Sequence, residues 1–101
     1  MVRIVQLTFK EEYFDDFLTH FETVKDAINA FPGCKGMKLL KNKKRHGVVF
    51  TYSEWESEAD LENYRNSALF GSIWPKVKQW FDDKPRAWST DIHFDGFASN
   101  K

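Results

Sequence analysis

The apolar residues of this chain repeat with two different periods, and the order in which those periods follow one another is the strongest constraint on its fold. Apolar side chains that recur every three or four positions from Glu11 to the Pro32-Gly33 stop predict one long amphipathic helix. Short extended runs with apolar residues, bounded by turn residues, predict four strands at residues 2–9, 34–41, 48–56 and 87–94. Helix and strand signals therefore alternate along a chain of 101 residues, which is the length of one domain.

A second helical region lies between the third and fourth strands. Ser57 followed by Asp60 has the capping-box arrangement, which predicts that a helix opens there and runs through Leu61, Tyr64 and Arg65. Pro75 is expected to start a new turn or to kink the next helical piece, because proline has no backbone N–H to donate. A glycine at position 36, inside the second strand, predicts a β-bulge.

The resulting order is β-α-β-β-α-β. With right-handed crossovers this order predicts an α+β, ferredoxin-like domain over residues 1–96, with a four-stranded antiparallel sheet and both helical regions on one face. Residues 97–101 are left as a C-terminal tail. The strands carry apolar residues on both faces, and 17% of the chain is aromatic, so the uncovered face is expected to pack on a second copy and form a dimeric α+β barrel.

Charge and cysteine content exclude several classes of function. Fifteen basic and fifteen acidic residues cancel, and the basic run at residues 41–46 is interpreted as a solvated hairpin turn, so no nucleic-acid partner is expected. No apolar run approaches the roughly 18 residues of a membrane span. The single cysteine, Cys34, forms no internal disulfide and suits a reducing cytoplasm. His46 and His93 have no metal-ligand spacing, so no metal site is predicted.

Aromatic residues concentrate between residues 51 and 81, where three of the four tryptophans lie. Such a segment lines either a thick core or an apolar cavity, and the sequence leaves both interpretations open. The residues of this segment expected to line a substrate pocket are Trp55, Tyr64, Phe70 and Trp74.

Several short motifs resemble the antibiotic biosynthesis monooxygenase (ABM) superfamily of dimeric α+β barrels. They are the Phe31-Pro32-Gly33-Cys34 end of the first helix, the SEWES stretch at residues 53–57, and the stretch from Tyr64-Arg65 to Trp74-Pro75. The resemblance implies an oxygenase branch in which the position of Trp55 lines the substrate cavity, together with an asparagine where this chain has Thr51. It also implies a heme-degrading branch, in which a histidine that ligates iron stands where this chain has Trp74.

We therefore expect a cofactor-independent monooxygenase for a small aromatic or quinol-like substrate, with no cofactor and no metal. Trp55, Arg65 and His20 are the candidate catalytic residues: Arg65 to stabilise a phenolate or peroxide anion, and His20 to act as a base. An ordinary surface ion pair for Arg65 and a half-exposed histidine without a role are the competing interpretations. Two alternatives for the whole protein stay open, a non-catalytic binding or structural dimer and a heme-binding or heme-degrading monooxygenase.

Overall fold

The computed structural model describes residues 1–97 and confirms the predicted order of strands and helices. Strand β1 is followed by a short 3₁₀ turn at Glu11–Tyr13, and β2 and β3 form a hairpin. The strands are β1 Val2–Thr8, β2 Cys34–Lys41, β3 Val48–Trp55 and β4 Arg86–Thr90; the helices are α1 Phe14–Asn29, α2 Glu58–Arg65 and α3 Ala68–Lys78. The sheet has the order β2-β3-β1-β4 with every neighbouring pair antiparallel, which is the ferredoxin-like arrangement.

Two predicted boundaries were wrong by several residues. Helix α1 begins at Phe14 rather than at Glu11, because Glu11–Tyr13 form the separate 3₁₀ turn. Strand β4 ends at Thr90 rather than at residue 94. Thr90 pairs with Val2, the first residue of β1, so the residues beyond Thr90 have no strand beside them on which to continue the ladder.

The second helical region divides at Ser67, between the two helical pieces that the sequence predicted. The Ser67 hydroxyl donates to the carbonyl of Tyr64 at 2.6 Å and accepts from the Phe70 N–H at 3.1 Å, so it ends one helix and caps the next. Pro75 lies inside α3, which continues to Lys78. The predicted cap of α2 is confirmed, since Ser57 accepts from the Asp60 N–H at 3.1 Å. The bulge is confirmed as a register shift between Cys34 and Gly36.

The core lies between the three α-helices and one face of the sheet. Side chains alternate across a strand, so Val5 and Leu7 of β1 point toward the helices together with Val49 of β3. Phe9 stacks on Phe17 of α1 with 4.2 Å between ring centroids. The fully buried apolar residues of this layer are Leu7, Phe9, Phe14, Phe17, Ile28, Val49, Ile73 and Val77.

The other face of the sheet carries none of the described helices. By the same alternation it presents Ile4, Phe50, Tyr52, Leu40 and Trp88, and the last two are 47% and 46% exposed. The chain beyond β4 turns back over part of this face, because the Phe97 ring lies 5.9 Å from Lys38 Nζ on β2. The rest of the predicted tail, residues 98–101, lies outside the described part of the chain.

The basic run forms the β2–β3 turn, as predicted. The Asn42 side-chain oxygen accepts from the backbone N–H groups of Lys44 and Arg45, which holds the turn. Within residues 1–97 no helix is long and apolar enough to cross a membrane, and no cluster of histidine, cysteine and acidic residues has the form of a metal site.

Candidate functional site

A cavity of about 340 Å³ lies between the helices and the inner face of the sheet. The aromatic segment therefore borders a partly open cavity and does not only fill a core. The structure brings all seven sequence-predicted site residues to this cavity: His20, Thr51, Trp55, Tyr64, Arg65, Phe70 and Trp74. Its volume lies at the lower end of the range of small-molecule sites, about 300–1,000 Å³.

Trp55 is a buried wall of the cavity and its polar group is already used. Its side chain is 2% exposed, and its indole N–H donates to the Ser53 hydroxyl at 2.9 Å. Ser53 in turn donates to the backbone carbonyl of Arg3 at 3.4 Å. The ring of Trp55 packs on Tyr64 with centroids 5.3 Å apart. Trp55 thus offers a bound molecule an apolar surface rather than a free hydrogen-bond donor.

A row of rings continues from Tyr64 across the helical side of the cavity. Tyr64 meets Phe70 edge-on at 5.2 Å, and Phe70 stacks on Trp74 at 5.5 Å. Burial, with a smaller electrostatic effect of Cys34, raises the pKa of Tyr64 to about 12, so its hydroxyl stays protonated at neutral pH. The row can hold a flat aromatic molecule and present one phenolic donor to it.

His20 is the histidine that lines the cavity. Its Nε2 atom is buried and has no hydrogen-bond partner within residues 1–97, and its ring meets Trp80 edge-on at 6.0 Å. Burial lowers the pKa of His20 below its usual 6.5, and the nearby charge of Lys76 lowers it further. The imidazole is therefore neutral at neutral pH, and an unpaired ring nitrogen of a neutral imidazole can accept a proton.

Two arginines border the cavity, and only Arg65 was predicted from the sequence. Arg65 is exposed and pairs with Glu62 at 3.6 Å, which agrees with the surface ion pair considered for it. Arg3, at the start of β1, donates from Nη1 to the Ser89 hydroxyl at 2.9 Å. Arg3 was missed, although strand alternation places it on the face of Val5, and Ser53 lies on the face of Trp55.

Thr51 lines the sheet side of the cavity, on the same face of β3 as Ser53 and Trp55. It pairs with Val5 on one side and Leu39 on the other, so its hydroxyl lies in an apolar strip. Hydroxyl groups of Thr51 and Ser53 are thus the polar groups that β3 contributes to the cavity wall.

The protein thus belongs to the class of α+β sandwiches that hold an aromatic cavity against one face of the sheet. Residues 1–76 match the model of the family described as Antibiotic biosynthesis monooxygenase (ABM). The chain therefore belongs to that family, as its motifs predicted.

Solved structures agree with this fold. One is described as an antibiotic biosynthesis monooxygenase and superposes with a TM-score of 0.84 at 19% identity, covering 91% of this chain and 98% of its own. A second, a candidate member of the same family from Nitrosomonas europaea, has a TM-score of 0.85 at 14% identity and covers 92% and 98% of the two chains. At these identities the likeness concerns the fold alone.

A curated relative has a different description. A protein of Haloarcula marismortui, named as a candidate heme-binding protein, is 29% identical over 79 residues. The match covers 78% of this chain but 12% of that protein, so the chain spans about an eighth of its relative.

Proposed function

We propose that the protein is a cofactor-independent monooxygenase that acts on a small aromatic or quinol-like substrate bound in the cavity. The observation that carries the proposal is the combination of a partly enclosed aromatic cavity with a buried nitrogen, Nε2 of His20, that has no hydrogen-bond partner within residues 1–97. A base beside a largely apolar binding space is the arrangement that such chemistry requires.

The proposed reaction starts with proton transfer. The substrate stacks on the rings of Phe70 and Trp74, and its phenolic hydroxyl gives its proton to Nε2 of His20. The phenolate then gives one electron to dioxygen, and the two radicals combine to form a substrate peroxide anion, which takes the proton back from His20 and becomes a hydroperoxide. Loss of water leaves one oxygen atom in the product and the other in the water, so the substrate supplies all the electrons.

Three groups can stabilise the negative charge of the intermediates. Tyr64 keeps its proton and can donate a hydrogen bond, and the guanidinium groups of Arg3 and Arg65 border the same cavity. In this proposal Trp55 shapes the cavity, since its own N–H is bonded to Ser53.

Oxygen consumption tests the proposal directly. With 1,4-naphthohydroquinone as substrate in metal-free buffer, we expect protein-dependent oxygen uptake above the spontaneous rate. Replacing His20→Gln should reduce this rate by about a hundredfold, the usual contribution of general base catalysis. Replacing His46→Gln in the β2–β3 turn is the matched control and should leave it unchanged. Binding of the hydroquinone without uptake would instead support the non-catalytic binding alternative.

Heme binding is the second candidate function, because the Haloarcula relative carries that description. The residues of the cavity fit a heme in one respect: the unpartnered Nε2 of His20 has the chemistry of an axial ligand. Trp74, which the sequence comparison placed at the position of the iron ligand, cannot bind iron. When bound, a heme would supply an iron centre for oxygen chemistry.

A hemin titration separates the two candidates. A shifted Soret band at stoichiometric hemin that is lost in His20→Ala supports heme binding through His20. A spectrum identical to that of free hemin rules this candidate out and leaves the cofactor-independent reaction and the non-catalytic dimer.

The proposal includes a homodimer formed through the open sheet face. Trp88 and Leu40 are about half exposed there, and Phe94 and Phe97 of the segment that follows β4 are 77% and 89% exposed. Large apolar side chains that are this exposed on a small domain favour a second copy as the occupant of the open face. Because Cys34 is unpaired, the proposal also includes a reducing, cytoplasmic setting.

A further inference from the structure

The two arginines at the rim of the cavity carry more positive charge than the nearby carboxylate neutralises. Arg3 on β1 and Arg65 on α2 both line it, and their charges are close enough that Arg65 lowers the pKa of Arg3, second only to burial. Glu62 is the carboxylate at this place, and its distance of 3.6 Å to Arg65 makes a loose ion pair. Both members of that pair are largely solvated, and such pairs contribute little.

Arg3 is held in place by a neutral partner. Its Nη1 donates to the Ser89 hydroxyl, while no carboxylate of residues 1–97 lies within ion-pair distance of its guanidinium. An arginine has five N–H donors in a planar fork, so one bond to a serine leaves most of them for another acceptor. A half-buried guanidinium without an anion is costly, and a bound anion would offset that cost.

We propose that Arg3 and Arg65 together select substrates that carry a carboxylate on the aromatic ring system. The carboxylate lies at the rim between the two guanidinium groups, and the rings extend inward along Phe70 and Trp74 toward His20. Arg3 is a specificity-determining residue in this arrangement, and Ser89 is the residue that positions it.

An aromatic carboxylate fits this site better than other anions do. A carboxylate is planar and can accept two parallel hydrogen bonds from one guanidinium. The interior of the cavity is built mainly from apolar and aromatic side chains, which suits a ring system and offers no second cluster of cations for a more highly charged group. The inference rests on the proposed function only in that the same cavity receives the substrate.

Binding of two closely related probes tests the inference without relying on turnover. Isothermal titration calorimetry compares 6-hydroxy-2-naphthoate with 2-naphthol, which has the same rings and phenol but no carboxylate. We expect the naphthoate to bind about tenfold or more tightly than the naphthol, in line with the strength of a hydrogen bond to a charged group. Added salt should weaken the binding of the naphthoate and leave that of the naphthol unchanged.

Charge-removing variants locate the effect. Arg3→Gln and Arg65→Gln should each reduce the affinity for the naphthoate about tenfold while the affinity for 2-naphthol stays the same. Arg86→Gln is the matched control, because Arg86 precedes Ala87 on β4 and therefore points to the opposite face of the sheet. Ser89→Ala keeps every charge and should weaken the naphthoate less than Arg3→Gln does. Circular dichroism checks the fold of each variant, and Arg65→Gln carries the test if Arg3→Gln does not fold.

Equal affinity for the two probes, or an equal effect of Arg3→Gln, Arg65→Gln and Arg86→Gln, would overturn the inference. The result is independent of catalysis. Carboxylate-selective binding with no oxygen uptake from 1,4-dihydroxy-2-naphthoate supports the inference and contradicts the oxygenase. Oxygen uptake that proceeds equally well with 1,4-naphthohydroquinone contradicts the inference and supports the oxygenase.

Discussion

His20 shows how its surroundings decide whether a single residue can act as a base. Its folded pKa is lowered, so the unfolded chain binds more protons than the folded one between the folded value and about 6.5. The stabilisation from keeping His20 neutral is complete above pH 6.5 and is lost as the pH falls through the folded pKa. Oxygen uptake should fall over the same acidic range, because only the neutral imidazole accepts a proton. Rate profiles and urea midpoints against pH, compared with those of His20→Gln, measure both effects.

Lys76 provides a finer test of the same residue. Its charge is the second cause of the lowered pKa of His20, after burial. Replacing Lys76→Gln should therefore move the acidic limb of the rate profile to higher pH, but not as far as 6.5, since burial remains. Lys78→Gln on the same helix is the control. An equal profile for the two variants would show that Lys76 does not act on His20.

Trp55 and Ser53 form a buried pair whose energetics a double-mutant cycle can measure. Trp55→Phe removes the donor and part of the ring, and we expect it to lower the free energy of unfolding by about 1–3 kcal/mol. Ser53→Ala leaves the indole N–H unsatisfied and should cost about 1–3 kcal/mol. Because both changes remove the same hydrogen bond, the double variant should be more stable than the sum predicts, by about 1 kcal/mol. Additive effects in urea unfolding would contradict the bond.

The connections between the strands and helices depend on close contacts that a single sequence does not show. Gly33 has a φ of +87°, and a Cβ added there would lie 2.4 Å from Asp60 at the start of α2. Gly33→Ala should therefore cost more than about 2 kcal/mol, from backbone strain and the clash together. Gly71 lies inside α3 with no atom within 4 Å of an added Cβ. Gly71→Ala should stabilise the protein by about 0.5–1 kcal/mol. Thermal and urea unfolding of the two variants should thus change in opposite directions.

The sequence predicted those elements whose signals are local. Strand β2, the Ser57 cap and the Gly36 bulge lie where the pattern placed them, because alternation, a capping hydroxyl and a glycine act within a few residues. The end of β4 was missed, since it depends on where β1 begins, 88 residues away in the Val2–Thr90 contact. The two helical pieces on either side of Ser67 were predicted, but Pro75 does not start a new helix, because it lies inside α3.

At the scale of the molecule, the candidate site combines residues from every layer, and the sequence could find only some of them. The aromatic residues of the site lie in one segment of the chain, and their large side chains indicate a cavity. Arg3 comes from the first strand and is recognisable only once β1, β3 and β4 are paired, because Ser53 and Ser89 flank it in the sheet. Sequence patterns therefore predicted the walls of the cavity and missed half of its charged rim.

The open sheet face gives the prediction that concerns the whole molecule. A dimer formed there should have a mass of about twice the 11.9 kDa of the chain in light scattering after size exclusion. Trp88→Glu places a charge on the edge strand β4 of this face, opposite Ile4, and should convert the dimer to a monomer, since a buried charge without a partner is costly. Ser72→Glu adds the same charge to an exposed position of α3 and should leave the dimer intact. A monomeric wild-type protein would contradict the dimer. A dimer that survives Trp88→Glu but not Ser72→Glu would show that the contact lies on another surface.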